Sequence, residues 1–270
     1  MRYKDSVVVV TGGAHGIGRA LCENFFAAGA HVVVVDIDLP AAEKVAAAVD
    51  GFAVQADVGV EADIQALIAK TEAVLGPIDV FVSNAGVALT DGPDWLAASA
   101  PDEHWMTSWQ VNVMAHVYAA RALVPQMIRR GGGYFVNVAS GASLLCQVGD
   151  AAYSTTKSAA LGFAESLAIT HGDDGIQVSV VCPLYVATRM TEGGRGVSGS
   201  DRVMSADEAA DAVLAGMEEG TFLILPHQEV ATYAQRKGAD YDRWLIGMRR
   251  MRQSMLKQNP QFAYEIIPNV

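Results

Sequence analysis

The chain is short of cysteine, proline and positive charge, and each shortage excludes a class of protein. Its three cysteines, Cys22, Cys146 and Cys182, are an odd and widely spaced set in 270 residues. They offer neither a disulfide framework nor the CxxC spacing of a zinc site, so no metal is expected and a reducing cytoplasm fits. The nine prolines mark out no Pro/Ser-rich linker, so one large domain is the better reading of the length. Nineteen Lys and Arg against thirty Asp and Glu give a formal charge of −11. No basic stripe is left to neutralise phosphates, which excludes nucleic acid as a partner. No apolar run approaches the length of a membrane span. The opening MRYKDS runs into a short apolar stretch ending in TGG, so neither a signal peptide nor a membrane partner is expected.

What is abundant is apolar. Hydrophobic residues make up 51% of the chain, ample for a core on both faces of a sheet. Charge is uneven. Residues 227–270 carry seven basic and four acidic side chains, against twelve and twenty-six before them. That tail reads as a solvated or subunit-contacting surface rather than as an anion site.

The order of segments predicts an α/β fold. Val7–Val10 is a β-branched run that reads as a buried strand. It feeds Thr11-Gly-Gly-Ala-His-Gly-Ile-Gly18, then a helical stretch Arg19–Ala28 stopped by Gly29, a strand His31–Val35, and Asp36. Strand, glycine turn, helix, strand and acid make one βαβ unit with a nucleotide-binding layout. Gly12, Gly16 and Gly18 allow positive φ, backbone approach to a diphosphate and close helix–strand packing. The helix N-terminus beyond them adds partial positive charge. Asp36 ends its strand where a carboxylate accepts from both ribose hydroxyls and repels a 2′-phosphate, which favours NAD over NADP. His15 is the one basic candidate nearby, as a cofactor contact or as a solvated turn residue. A helix Pro40–Val49, a strand Phe52–Gln55, a helix Glu61–Leu75 and a strand Ile78–Val82 follow. Asp57, between the third strand and its helix, either contacts an adenine or caps that helix. Val87–Pro101 is irregular. A single long helix is expected from Asp102 to Arg129, broken by Gly131–Gly133, and then a fifth strand, Tyr134–Ala139. Asn112 lies mid-helix on an apolar face, a position that by itself suggests a side chain satisfied by backbone or turned to solvent.

The chemistry is concentrated between Ser140 and Lys157. Ser140 ends the fifth strand, a ten-residue loop follows, and Tyr153 and Lys157 are four apart on one helix face. A phenol with pKa about 10 is a sluggish acid–base group at neutral pH. A neighbouring ammonium is expected to lower it into working range, while Ser140 fixes a carbonyl oxygen by hydrogen bonding. Tyr-xxx-Lys alone means little, because Tyr233 and Lys237 repeat it with Gly220, not a serine, thirteen residues earlier.

With TGGAHGIG, SNAG, Asn112, Ser140, YSTTK and PLYVAT in order, the chain resembles the short-chain dehydrogenase/reductase family over roughly residues 5–226. The resemblance implies a single Rossmann-like, doubly wound parallel sheet of about seven strands with helices on both faces. It implies NAD as cofactor and interconversion of a secondary alcohol and a ketone. Tyr153 would be the general acid/base, and Lys157 would lower its pKa and bind the nicotinamide ribose. Ser140 would orient the substrate oxygen, and Asn112 would hold a water in a relay to Lys157. Asn84, Ala85 and Gly86 resemble the turn beside the adenosine ribose, and Asp57-Val58 the adenine contact. Pro183, Val186 and Thr188 match the segment that bonds the carboxamide. Two positions depart from the pattern: Ser83 replaces an asparagine, and Leu184 replaces the glycine after the sixth strand (Ile176–Cys182), crowding the nicotinamide. Assembly as a homodimer or homotetramer, through the helices carrying Asn112 and Tyr153, is also implied.

The substrate walls are expected from Leu144, Leu145, Cys146 and Val148, then Leu184, Tyr185 and Met190. Arg189 is the clearest charge among them. A neutral, fairly apolar ketone or secondary alcohol fits better than a carrier-bound thioester or a polyol. Glu192–Ser200, rich in glycine, reads as a mobile lid. Ser205-Ala-Asp-Glu208 reads as a capping box opening a helix that ends near Gly220, before a seventh strand, Thr221–Leu225. Residues 1–226 are read as the catalytic domain and 227–270 as a helical extension on the same domain or a neighbouring subunit. Trp244, Met248, Met251 and Met255 form one amphipathic stripe there, either packing against protein or capping the pocket. Two other functions are weighed: an NAD-binding sensor or scaffold without catalysis, and a dehydratase or epimerase on the same fold.

Overall fold

Valine-rich runs, each followed by an alanine-rich segment of helical composition, set the order of the elements. The computed structural model describes residues 3–91, 96–194 and 203–258. Its strands are β1 (Val7–Thr11), β2 (His31–Asp36), β3 (Phe52–Gln55), β4 (Val80–Ser83), β5 (Gly133–Val138), β6 (Ile176–Val181) and β7 (Leu223–Ile224). They form one sheet in the order β3-β2-β1-β4-β5-β6-β7, and every pairing is parallel. Parallel strands are covered on both faces, so they read as continuous apolar runs rather than as alternation. All five residues of β1 are buried accordingly.

The helices divide between the faces. Val8 and Val10 of β1 join a core with Leu21 and Phe25 of α1 (Gly16–Ala27), Ala42 of α2 (Leu39–Ala48), and Val213 and Met217 of α8 (Ala206–Glu219). Val7 and Val9 point the other way. They pack with Ile64 and Leu67 of α3 (Glu61–Leu75), Leu123 and Met127 of α5 (Ala115–Arg129), and Ala164 and Leu167 of α7 (Ala151–His171). This is the doubly wound α/β arrangement that the sequence predicts.

Local chemistry explains where elements stop. Ser205 and Glu208 complete a reciprocal capping box at the start of α8, and Gly220 ends it in the left-handed conformation. β7 is only two residues, shorter than Thr221–Leu225, although Val180 N–H still donates to Phe222 O and Cys182 N–H to Ile224 O. Pro226, lacking an N–H, cannot extend that ladder. The expected single helix over 102–129 is α4 (Asp102–Trp109) and α5 joined by a π turn, Gln110–Met114, that carries Asn112. The expected loop after Ser140 contains a helix of its own, α6 (Gly141–Leu145), started by Ser140 Oγ accepting from Ala142 N–H at 3.1 Å.

Beyond β7 the chain forms α9 (Glu229–Ala239) and α10 (Tyr241–Gln258). α9 lies against α6 and α10. The Trp244, Met248 and Met255 side chains are half-buried, and Met251 is exposed. Among the described residues, no helix is long and apolar enough to cross a membrane.

Candidate active site

The strand order reverses between β1 and β4, and in open α/β sheets that switch point makes a crevice at the carboxyl ends of the strands. A cleft of about 380 Å³ lies along this edge. Along it lie Gly12, His15, Gly16, Ile17, Asp36, Asp57, Val58, Asn84, Ala85 and Gly86, then Ser140, Tyr153, Lys157, Pro183, Leu184, Val186, Thr188 and Met190. These come from seven separate places in the sequence. Ile37, Ala56, Val87, Val111, Val138, Ala139 and Thr191 share the lining; they are apolar or loop residues without a motif to mark them.

One end of the cleft is made of backbone. Gly12 has φ +61°, and a Cβ there would lie 2.9 Å from Ala85 Cα. Gly18 does not line the cleft but lets α1 approach it, since a Cβ would sit 2.1 Å from Gly12 O. His15 is the N-cap of α1 and supplies no side-chain bond, so the first-turn N–H groups of Gly16, Ile17 and Gly18 lack intrahelical partners. These donors, at the positive end of the helix, suit a diphosphate. His15 Nε2 lies 3.7 Å from Asp38 Oδ2. The Asp36 carboxylate accepts from Ala14 N–H at 3.1 Å and Asp38 N–H at 3.1 Å, which fixes it at the end of β2. The nearby cation Arg19 is held by Glu23 at 2.6 Å and Asp207 at 3.4 Å. Asp57 does not cap α3. Its carboxylate accepts from Gly59 N–H at 2.8 Å, and the N-cap is Val60.

Asn84 has a task that its motif does not announce. Its Nδ2 donates to Thr11 O at 2.9 Å and Gly12 O at 3.1 Å, while Thr11 Oγ1 accepts from Asn84 and Ala85 N–H. The ends of β1 and β4 are thereby bolted together under the glycine turn.

The other end carries the side-chain chemistry. Lys157 is buried in α7, donates to Val138 O at 2.9 Å, and has Nζ 5.9 Å from the Tyr153 ring centroid. Asn112 is fully buried and does not line the cleft. Its Oδ1 accepts from Val87 N–H at 3.0 Å, and its Nδ2 donates to Val87 O at 2.9 Å and Thr156 Oγ1 at 3.1 Å. Its amide thus ties the loop after β4 to α7. A Cβ on Gly86 would meet Lys157 Nζ at 3.1 Å and Asn112 Oδ1 at 3.2 Å, so the glycine leaves room where those two groups converge.

The electrostatics differ from expectation in one respect. Tyr153 is raised to about 12 rather than lowered. Burial is the largest cause, the charges of Asp150 and Cys182 add to it, and a hydrogen bond with Ser140 opposes it. Lys157 falls to about 8 because burial disfavours its ammonium. Two further carboxyls stand behind the tyrosine. Asp150 caps α7 through Tyr153 N–H at 3.2 Å, and Asp91 accepts from Ala151 N–H at 2.9 Å. Burial, with Asp91's charge, raises Asp150 to about 7.

The substrate walls are only partly as expected. Leu184 and Met190 face the cleft, as does Arg189. Leu145 is buried and Leu144 packs on the core of the α3/α5/α7 face. Cys146 is exposed with φ +66°, and Tyr185 does not line the cleft. The short helix α6 carries Leu144, Leu145 and Cys146 away from the cleft, where an extended loop is expected from the sequence. The Glu192–Ser200 lid reading falls mostly outside the described residues. The second Tyr-xxx-Lys pair lies on α9 and does not line the cleft.

Known proteins give the same outline. A sequence model described as short chain dehydrogenase matches residues 6–195. The 1-deoxy-11-beta-hydroxypentalenate dehydrogenase of Streptomyces avermitilis is 38% identical over 242 residues, covering 86% of this chain and 88% of that protein. The 2-(R)-hydroxypropyl-CoM dehydrogenase of Xanthobacter autotrophicus is 33% identical over 235 residues, covering 85% and 87%. Among solved structures, a short chain dehydrogenase/reductase from Burkholderia phymatum in complex with NAD superposes with a TM-score of 0.80. It shares 24% identity over 90% of this chain and 96% of that one, a likeness of fold.

Proposed function

The chain belongs to the short chain dehydrogenase family, and on that premise we propose that it is an NAD(H)-dependent oxidoreductase interconverting a secondary alcohol and a ketone. The observation that carries this reading is convergence: Ser140, Tyr153 and Lys157 share one cleft with the Gly12–Gly18 turn and Asp36. NAD is favoured over NADP because Asp36 is held where a ribose would lie, and Arg19 is engaged by Glu23 and Asp207. The NAD-bound structure from Burkholderia phymatum shares the fold that builds this cleft. When bound, the nicotinamide supplies or accepts the hydride.

The rest is done by the chain's own residues. Ser140 Oγ donates to the carbonyl oxygen and fixes it beside Tyr153. In the reducing direction Tyr153 hands its phenolic proton to that oxygen; in the oxidising direction it takes the alcohol's proton. Lys157, beside the Tyr153 ring, would bind the cofactor ribose. Asn112 Oδ1 and Lys157 Nζ converge beside Gly86, which supports a proton path from Lys157 towards the Asn112 turn. Asp57 and Val58 would hold the adenine, Asn84 to Gly86 its ribose, and Pro183, Val186 and Thr188 the carboxamide; all of them line the cleft.

The apolar lining from Val87, Val111, Leu184 and Met190 supports a neutral, fairly apolar substrate. The two curated relatives are both named as dehydrogenases of a hydroxy compound. The protein acts in the cytoplasm as a homodimer or homotetramer. Met106 and Trp109 on α4 and Ile169 on α7 are exposed apolar side chains suited to such an interface, and light scattering that finds only monomer at micromolar concentration would remove that part.

Tyr153→Phe tests the assignment. Turnover of a ketone panel, followed by NADH absorbance, is expected to vanish while NADH binding, read by fluorescence, is retained. Turnover at the wild-type rate would refute the role of Tyr153.

A further inference from the structure

The two backbone segments beside the catalytic serine are held from outside the dinucleotide fold. α6 follows Ser140 directly, and Pro183–Val186 leads away from β6. They are tied to each other: Gly141 N–H donates to Pro183 O at 2.7 Å, and a Cβ on Gly141 would lie 2.5 Å from Leu184 Cδ2. Each also leaves one backbone group to be satisfied by the C-terminal segment. Leu184 N–H donates to His227 Nδ1 at 3.2 Å. Leu144 O, in the last turn of α6, accepts from Lys237 Nζ at 2.6 Å.

Both contacts have the marks of fixed positions. His227 is 3% exposed, and its Nδ1 accepts from Leu184 N–H. The Lys237 ammonium also sits 5.1 Å from the centroid of Tyr241, a cation–π contact that limits where the amine can go. The charge is well placed, because the last carbonyls of a helix lack intrahelical donors. From α6 the constraint passes on to the catalytic helix: Ser143 Oγ donates to Lys157 O at 2.8 Å, and Ser158 Oγ to Ser143 O at 3.1 Å. Leu184 is one of the wall residues that face the cleft. A small slide of its backbone therefore moves an isobutyl group across the space beside Ser140 and Tyr153.

We infer that His227 and Lys237 form a two-point clamp by which the C-terminal segment sets the shape of the substrate pocket and thereby the range of ketones accepted. They act through Leu184 and α6, so they are positioning residues that do not touch the reacting atoms. The inference rests on the proposed ketone–alcohol chemistry for its substrate side, and on hydrogen bonding alone for its clamp side.

The test uses the full chain with His227→Leu, His227→Asn and Lys237→Met. Asn can present an acceptor oxygen where His presents Nδ1; Leu cannot. Met keeps the stem of Lys237 without the ammonium. Melting temperature and NADH binding serve as controls for folding and for the cofactor end. Amide exchange is measured in peptides covering 141–146 and 183–187, and kcat and KM are measured on ketones of graded size. The leucine variant is expected to exchange about fivefold faster in 183–187, the change that follows from losing one net hydrogen bond. The methionine variant is expected to do so in 141–146. The kcat/KM ratio between bulky and small ketones should shift by about the same factor through KM, with kcat on the smallest ketone unchanged, and His227→Asn should restore both readouts. Should His227→Leu fail to fold, Lys237→Met decides alone. Folded variants with unchanged exchange would overturn the clamp, and faster exchange with an unchanged size ratio would overturn its role in specificity. A wild-type protein that reduces no ketone would sink the proposed function, while the exchange measurement would still decide the clamp.

Discussion

Replacing Asp150 with asparagine should flatten a pH dependence of stability that the wild-type protein carries. Asp150 is 3% exposed, and its carboxyl caps α7 through Tyr153 N–H. Asp91, also 3% exposed, occupies the same helix end through Ala151 N–H. Two ionised carboxylates there would each lose hydration and repel the other, so burial first and Asp91 second lift Asp150 to about 7. In the unfolded chain its pKa is about 3.9. Between those values the folded state holds a proton that the unfolded state has released. The stabilisation is fully present below pH about 4 and is lost as pH rises through about 7. A gap of about three units corresponds to at most about 4 kcal/mol, as an order of magnitude.

Asparagine keeps the capping oxygen and cannot ionise, and it serves as an N-cap as well as aspartate does. Its stability should therefore lack this contribution to the slope. Urea unfolding of both proteins at steps from pH 4.5 to 8 checks it. The difference between them should be smallest at pH 4.5 and should favour the variant by about 1 to 4 kcal/mol at pH 8. Parallel curves across the range would refute the reasoning. A second readout is independent of unfolding. Ionised Asp150 helps to raise Tyr153, so the variant's alcohol oxidation should reach half its maximal rate at a lower pH than wild type.

Gly18→Ala would force a Cβ to within 2.1 Å of Gly12 O and 2.5 Å of Asn84 Nδ2; overpacking of this kind costs about 1–3 kcal/mol. Urea unfolding should report that loss, and NADH affinity should fall with it, because the turn under the diphosphate must move; a variant matching wild type in both would refute the packing role. Asp36→Ser removes the carboxylate that repels a 2′-phosphate, so kcat/KM with NADPH relative to NADH should rise at least about tenfold, and an unchanged ratio would show that cofactor choice lies elsewhere.

Sequence legibility followed the range of the interactions. β1 and β2 were readable because parallel strands buried on both faces are runs of valine, and the glycine turn because its backbone admits little else. The seventh strand was overextended because Pro226, which ends the ladder, lies one residue beyond the apolar run. α6 hid in a predicted loop: five residues carry no periodicity, and the available signal was Ser140 itself, an N-cap residue as well as a catalytic candidate. The π turn at Asn112 left no trace in QVNVM. The Thr11–Asn84 brace depends on two strands far apart in sequence meeting in one register, and spacing cannot reveal that. Of the two Tyr-xxx-Lys pairs, the first lines the cleft and the second lies on α9. Lys237 does bond α6, the helix that follows Ser140, a contact that the motif itself does not announce.

The direction of the Tyr153 shift bears on how the site works. A neighbouring lysine was expected to draw the phenol down, but Lys157 donates to Val138 O and is itself lowered to about 8. Its hydrogen bond is directed to that backbone carbonyl, and it is not among the groups that lower Tyr153. Burial therefore decides the balance, and Tyr153 stays protonated through the neutral range. With its phenol protonated, Tyr153 is in the form that the proposed ketone reduction requires. Alcohol oxidation requires the opposite form, and the charge of Asp150, ionised above about 7, works against it. The oxidised nicotinamide carries a positive charge that the reduced one lacks. Loading the cleft with NAD+ rather than NADH should thus bring the phenol down more, and a tyrosinate absorbance titration of Lys157→Met and wild type in the two forms separates the contributions. If the cofactor's charge dominates, the NAD+-induced shift survives the loss of Lys157. If the lysine dominates, the shift disappears with it, and the expectation drawn from the sequence is restored.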